Sequence, residues 1–284
     1  VGELARSFRV ATWLGWQIES NWTDPLLFAI YSIVKPVASV MILVVMYWVI
    51  AQTDTTSPYF AYMYLGNAAY IYVGSVLTGV SWAVIDDREH YQTLKYIYAS
   101  PVNFYFYLLG RGVARFLTGT LSVVITMAFG LLALDLSIDA SQVRWLYLGA
   151  SMMLGLAGMA FLGLLLGGAT LQMARHSYMV GDAVAGALYL FCGAIFPPDA
   201  LPAWLRPLSF ALPLTYWMES LRRAVLGSEA SGLISPSLSG IGDGQLLAIL
   251  LATTLIAGVV SVYFFRWSEY RAREKGRIDM TTQY

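Results

Sequence analysis

Asp86-Asp87-Arg88-Glu89-His90-Tyr91-Gln92-Thr93-Leu94-Lys95-Tyr96-Ile97-Tyr98-Ala99-Ser100-Pro101 is a charged, helix-competent segment between two long apolar runs. Three acids and a base open it, and carboxylates suit a helix N-terminus because they meet its unpaired N–H groups. Pro101 closes it, since the residue before a proline is pushed out of the helical region. Leu94, Ile97 and Tyr98 lie three and four apart and give a polar helix one apolar face. The expectation is a short helix at the cytosolic surface that plugs into an energy-supplying partner. The same spacing fits a solvated helix that merely joins two membrane spans.

The flanking runs settle the class. The chain has 284 residues, 58% hydrophobic and 12% charged, with a mean hydropathy of +0.63. A soluble domain carries roughly 25% charged residues, so half that value with long apolar runs means membrane. Net charge is zero, which gives no case for nucleic acid. A single cysteine, Cys192, rules out an internal disulfide or a cysteine metal cluster. The first apolar run begins only around Leu26, unlike a cleavable secretory signal.

Before the segment, Gly2 to Asn21 reads as an amphipathic helix lying on the membrane, within a 1–24 interfacial region. Leu4, Phe8, Ala11, Gly15 and Ile18 form one stripe; Arg6, Arg9, Trp13 and Trp16 fall on the other side. A soluble helix packing on the partner is the other reading. The first span is expected at about Leu26 to Ala51, interrupted by Lys35-Pro36, and the second at about Tyr59 to Ile85. After the segment, a third span runs from about Tyr105 to Leu134, with Arg111 and Arg115 snorkelling to headgroups. A fourth, about Trp145 to Leu171, is glycine-rich and so packs closely on neighbours. A fifth covers about Met179 to Phe196.

Phe196 to Pro207 is too proline-rich to span and too apolar for a free loop. Backbone of that kind is tolerated at membrane depth only where protein or a water-filled cavity satisfies it. One or two short helices dipping into the outer leaflet, then a helix at about Thr215 to Leu226, make a re-entrant region over 197–226. Gly227 to Gly244 is an outer loop, and a sixth span from about Leu246 to Phe265 ends in a basic tail, 266–284. With both termini inside, Arg6, Arg9, Arg88, Lys95, Arg111, Arg115, Arg175, Arg266, Arg271, Arg273, Lys275 and Arg277 are cytosolic. Arg144, Arg206, Arg222 and Arg223 are outside. That asymmetry fixes the orientation by the positive-inside rule.

Little covalent chemistry is available. His90 and His176 have no paired-ligand spacing, and no phosphate-binding GxxxxGK[ST] loop exists around Lys35, Lys95 or Lys275. Any uphill transport draws its energy from another polypeptide or an ion gradient. Gradient carriers need ionisable groups in their spans. Lys35 and Asp182 are the candidates, either snorkelling or joined in a buried ion pair.

Asp87-Arg88-Glu89, Thr93-Leu94 and Ser100-Pro101 resemble the cytosolic coupling segment of the ABC type-2 permease family. Gly193-Ala194-Ile195-Phe196-Pro197, Leu201-Pro202, Trp204-Leu205 and Leu212-Pro213-Leu214-Thr215-Tyr216, with Glu219 and Arg222, resemble its second signature. The two lie about a hundred residues apart in the family's order. Family members often have Gly-Thr-Leu-Glu where this chain has Gln92-Thr93-Leu94-Lys95, a change that bears on which ATPase fits.

The resemblance implies an all-α integral membrane permease: six spans, an interfacial helix, a coupling helix at 86–101 and a re-entrant outer hairpin, all in one domain over 1–284. It implies a non-enzymatic subunit of an ABC exporter in a bacterial or archaeal plasma membrane, paired with a second permease copy as a homodimer or with a different permease chain as a heterodimer. Separate nucleotide-binding subunits carry ATP and Mg. Contacts to the ATPase are implied at Arg6, Arg9, Asp86, Asp87, Arg88, Glu89, Tyr91, Thr93, Leu94, Ile97, Ser100 and Pro101. Pathway positions are Tyr62, Tyr70, Tyr72, Tyr189 and Phe191. The outer gate comprises Phe196, Pro197, Pro198, Leu201, Pro202, Trp204 and Glu219. An aromatic, uncharged lining suits an amphipathic drug or lipid, with a polysaccharide or glycolipid second. The competing class is an ion-coupled carrier or membrane enzyme acting alone.

Overall fold

Long apolar runs bounded by charge become long helices. The structure, a computed structural model, describes residues 2–20, 25–51, 57–100, 102–136, 138–173, 177–228, 232 and 234–278. Among these residues the fold is all-helical, without a strand. Four helices are long and apolar enough to cross a membrane: Pro58–His90, Phe104–Ala133, Trp145–Gln172 and Asp243–Glu274. Two further apolar stretches, Ile33–Val49 and Met179–Phe191, are shorter.

In chain order, α1 is Gly2–Ser20, α2 Pro25–Ala51, α3 Pro58–Tyr72 and α4 Thr78–Ile85. One π-helical turn, Val73–Leu77, joins α3 to α4, and a second, Asp86–His90, extends α4. Together they form a rod of 33 residues, about 50 Å long. Then come α5 Leu94–Ala99, α6 Phe104–Ala133, α7 Trp145–Gln172 and α8 Ser177–Phe191. A 3₁₀ turn, Pro198–Ala200, precedes α9 Arg206–Ala211 and α10 Pro213–Leu226; α11 is Pro236–Ser239 and α12 is Asp243–Glu274.

The rod is the centre of the bundle, packing on α2, α6, α7, α8 and α10. Its Val76, Leu77, Val80 and Val84 are buried. Glycines of α7 let neighbours approach, as the sequence indicates. An added Cβ at Gly155 would stand 2.1 Å from the Trp217 ring of α10, and one at Gly163 2.9 Å from the Leu77 carbonyl oxygen. At Gly168 it would lie 3.2 Å from Phe264 of α12. The stripe of α1 is also real: Ala11 and Gly15 are buried against α6, while Arg6, Arg9, Trp13 and Trp16 are exposed. A Cβ on Gly110 would come within 2.7 Å of the Ala11 side chain, so small residues on both helices set that crossing.

Three expected boundaries move. The acids Asp86, Asp87 and Glu89 do not open a surface helix; they close the rod in a π-helical turn, and the surface helix begins at Leu94. Gln92, with φ 51°, makes the break between them. The helix expected as a fifth span ends at Phe191, not Phe196; its 15 described residues cover about 22 Å, and Gly193 at φ 75° follows it. The last helix does not give way to a tail after Phe265 but continues to Glu274, so Arg266, Arg271 and Arg273 are helical. At 32 residues it measures about 48 Å and outreaches a hydrocarbon core of about 30 Å.

Gly155→Ala would drive a methyl group into the Trp217 indole. Overpacking of this kind costs about 1–3 kcal/mol, read as a lower thermal unfolding midpoint in detergent. Trp217→Leu in the same chain should recover part of that loss.

Candidate functional site

Burying charged residues demands partners, and at the C-terminal end of the rod those partners are present. Asp87 and Arg88 are 1% and 3% exposed, and Glu89 is also buried. Arg88 pairs with Glu89 at 2.9 Å. Its guanidinium donates to the Thr170 carbonyl at 3.1 Å and the Met173 carbonyl at 3.4 Å. Those carbonyls end α7, where a cation satisfies orphan acceptors and the helix dipole together. Arg111 of α6, expected to snorkel, is instead 5% exposed. It lies 3.6 Å from the Asp87 carboxylate and 3.9 Å from that of Asp86. Sequence spacing could not show this, because the partners come from helices far apart in the chain.

From that anchored root the chain turns into α5. The Thr93 amide donates to the Asp87 carbonyl at 2.8 Å, and Leu94 is buried at 1%. Ser100 donates to the Ile97 carbonyl at 2.7 Å; Pro101 lies outside the described residues. Tyr91, Lys95 and Tyr96 are exposed. On the far side, the Arg273 guanidinium of α12 sits 4.6 Å from the Tyr98 ring centre, and burial pushes the Tyr98 hydroxyl pKa up. Glu19 of α1 pairs with Arg115 at 2.7 Å; burial raises its carboxyl pKa and Arg115 opposes the shift.

Between α1 and α5 lies a cleft of ≈ 410 Å³. Arg6, Ser7, Val10 and Ala11 form one wall; Ile97, Val102 and Tyr107 form the rest. The structure thus brings Arg6 and Ile97, singled out separately in the sequence, to one opening. Arg9 is exposed on the same helix. Asp87, Arg88, Glu89 and Leu94 are buried in the protein interior and do not line that opening.

The aromatic positions separate. Tyr70 and Tyr189 meet edge to face at 4.6 Å; Tyr70 donates to the Ala185 carbonyl and Tyr189 to the Asn67 side chain at 2.7 Å. Tyr72 turns instead to Phe116 of α6, stacked at 5.3 Å. Tyr62 is buried under the Arg222 guanidinium, 3.6 Å from its ring centre. The Phe191 carbonyl accepts from Ser209. The anticipated Lys35–Asp182 ion pair does not form within one chain: both side chains are exposed.

At the opposite end of the rod, the hairpin is held from within. Arg222 is buried and donates to the Tyr62 carbonyl at 3.2 Å, Gly193 at 2.7 Å and Ala194 at 2.8 Å. Arg223, also buried, donates to the Glu219 carboxylate at 2.9 Å and to the carbonyls of Leu238 and Ile241, both at 2.6 Å. Asp243 joins Arg223 at 3.2 Å to Arg144 at 2.5 Å. Arg206 donates to the Leu201 and Asp199 carbonyls at 2.9 and 2.8 Å. Phe196, Pro202 and Trp204 are exposed on this cap, Pro197 is half-buried, and Pro198, Leu201 and Glu219 are buried.

The charged segment, the helical bundle and the proline-rich hairpin follow one another in a single chain, and the family model described as ABC-2 type transporter matches residues 6–226. The chain belongs to the ABC-2 type transporter family. It is an integral membrane protein of that family's transport subunits. No curated protein matches it. The matched range takes in α1 through α10, and hence both the inner cleft and the outer hairpin of this ABC-2 domain.

Sequence reasoning placed Arg222 and Arg223 on an outer helix but missed their clamping role, and missed Arg144 and Asp243 altogether as partners. One local signal existed: Glu219 and Arg223 stand four apart on a helix, the spacing of an ion pair. Gly66 was also overlooked. A Cβ there would lie 2.0 Å from both the Ala194 carbonyl oxygen and the Arg222 guanidinium.

Arg88→Ala removes the donor to two carbonyls and to Glu89 in a buried site. Losing one partner of such a pair costs about 3–5 kcal/mol, so the thermal midpoint in detergent should fall. Glu89→Gln, which keeps an acceptor, should fall less. Gly66→Ala should reduce folded yield, because the guanidinium cannot yield without releasing its carbonyls.

Proposed function

We propose that this chain is the permease subunit of an ABC exporter, driven by ATP hydrolysis on separate subunits that dock at the α1–α5 cleft. The observation that carries the reading is the cleft itself: an apolar opening with a basic rim, backed by a buried ionic root. A partner pressing on α5 acts through Leu94 and the Asp87 amide contact on the rod, through Arg111 on α6, and through Arg88 on α7. Tyr91, Lys95, Tyr96 and Ile97, with Arg6 and Arg9, make the docking face; Asp86 to Glu89 transmit the load. ATP and Mg belong to the partner.

Six spans follow if α2 and α8 cross together with the four long helices, with both termini cytosolic. Arg223 is paired with Glu219 and Asp243 and Arg222 is buried on backbone carbonyls, so the outer side keeps fewer exposed cations and the charge bias is sharper than a residue count gives. A bacterial or archaeal plasma membrane suits such a subunit. Two copies enclose the path, with Tyr70 and Tyr189 offering aromatic surface and hydroxyl dipoles and no net charge. That lining suits an amphipathic drug-like molecule or lipid. The hairpin, from Phe196 to Glu219, caps the path outside.

Val10→Asp and Ile97→Asp place charges in the cleft; the exposed Val10 position should leave the fold within about 0.5 kcal/mol, as most surface changes do, whereas Ile97, half-buried against the core, also loses packing. Both should abolish co-purification with the ATPase and its vanadate-sensitive hydrolysis in lipid discs. Normal coupling in both would remove the cleft as docking site. In the same discs, amphipathic compounds should stimulate hydrolysis, and Tyr70→Ala should blunt that stimulation without changing the basal rate.

A further inference from the structure

We infer that α12 carries a binding site for the headgroup of an anionic phospholipid, formed by Arg266 and Arg271 on either side of an aromatic row, Tyr263, Trp267 and Tyr270. The leaflet is the inner one, so the inference rests on the cytosolic placement of the C-terminus proposed above. All five side chains are exposed. Among the described residues neither arginine pairs with a carboxylate, and Glu269, the acid between them, is held by Arg273 at 2.6 Å. Each leans on a ring instead: Arg271 lies 4.9 Å from the Trp267 ring centre and Arg266 6.0 Å from that of Tyr105. A ring engages the charge without using up five N–H donors, whose planar fork matches phosphate oxygens.

The rest of α12 decides what covers this face. Leu250, Thr254, Gly258, Ser261, Phe265, Ser268 and Ala272 form one buried row along its whole length, and the helix packs on α7 and α10. On the other side, Ile256, Val259, Tyr263, Trp267 and Tyr270 follow one another three and four apart, all exposed. The first of these face hydrocarbon in the proposed span, so the last continue a line that faces lipid. About 20 helical residues fill the hydrocarbon core; counted from Leu246, they end at Phe265. The headgroup layer adds about 6 Å, or roughly four residues, which places Arg266 to Tyr270 within it. Glu274, the exposed acid on this face, lies about 12 Å past Arg266 along the axis, beyond the phosphates. At about 100° per residue, Arg266 falls about 40° to one side of Tyr270 and Arg271 about 40° beyond Trp267. Amphipathic rings suit headgroup depth, and basic groups beside them are drawn to an anionic leaflet.

The test offers the full chain, in a neutral detergent, an equal mixture of phosphatidylglycerol and phosphatidylcholine, and reads the retained lipid by native mass spectrometry. Preferential retention of phosphatidylglycerol is expected. Arg266→Gln with Arg271→Gln should cut that preference by roughly tenfold or more. Arg266→Lys with Arg271→Lys should keep most of it, and so should Arg6→Gln with Arg9→Gln on the exposed face of α1. Excess inorganic phosphate at constant ionic strength should not displace the lipid. Equal retention of both lipids, a preference that survives the double glutamine change, or displacement by phosphate would overturn the site. Topology is read separately, with a membrane-impermeant maleimide on a chain carrying Cys192→Ser and Lys275→Cys. Labelling confined to inside-out vesicles, with no lipid preference, removes the headgroup site and leaves the topology standing. Labelling in right-side-out vesicles removes both.

Discussion

Backbone that leaves a helix inside an apolar phase must find its hydrogen bonds in protein, and in this chain buried guanidinium groups supply them. Arg222 satisfies the carbonyls of Tyr62, Gly193 and Ala194, where the rod meets the turn after α8. Arg88 satisfies those of Thr170 and Met173, where α7 ends. Each replaces water that the surroundings exclude, and an unmet buried carbonyl would cost about 1–3 kcal/mol. The planar fork of arginine suits the task, since one side chain reaches several acceptors at once. Without these clamps the buried carbonyls of the hairpin would go unmet, and the charged segment would have no fixed root.

The two clamps act at opposite ends of one rod and give the domain its mechanical character. At the outer end, Arg223, Glu219, Asp243 and Arg144 bind α10, the loop before α12 and the start of α7 into one body. At the inner end, Arg111 and Arg88 tie the rod to α6 and α7, and Gln172 donates to the Ser268 carbonyl of α12 at 2.6 Å. The root of α5 is thereby tied to α6 and α7 through buried charged groups and, through the Gln172 amide, to α12. The π-helical turn at Val73–Leu77 interrupts the rod between the clamps, where helices most readily change their winding.

Hydropathy alone located the apolar runs, because a bilayer demands length and apolarity and little else. The face of α1 was legible from its 3.6-residue period, and the packing of α7 from its glycines. The end of the rod was not. Asp86-Asp87-Arg88-Glu89 has the composition of a helix start, and only Arg111 and the carbonyls of α7, brought by tertiary packing, make it the end of one. Arg222 and Arg223 were unreadable for the same reason: a charge in an outer segment looks solvated until its acceptors are known. The aromatic positions split likewise, with Tyr62 drawn to Arg222 and Tyr72 to Phe116, leaving Tyr70 and Tyr189 together.

Hydrogen exchange along the chain, with and without its ATPase, tests the central claim most directly. Docking at the α1–α5 cleft should slow exchange of amides in Arg6–Trp16 and Tyr91–Ala99. The hairpin from Gly193 to Leu226, held by its own arginines, should keep its rate. Unchanged exchange at α1 and α5, or slowing confined to the hairpin, would contradict the account.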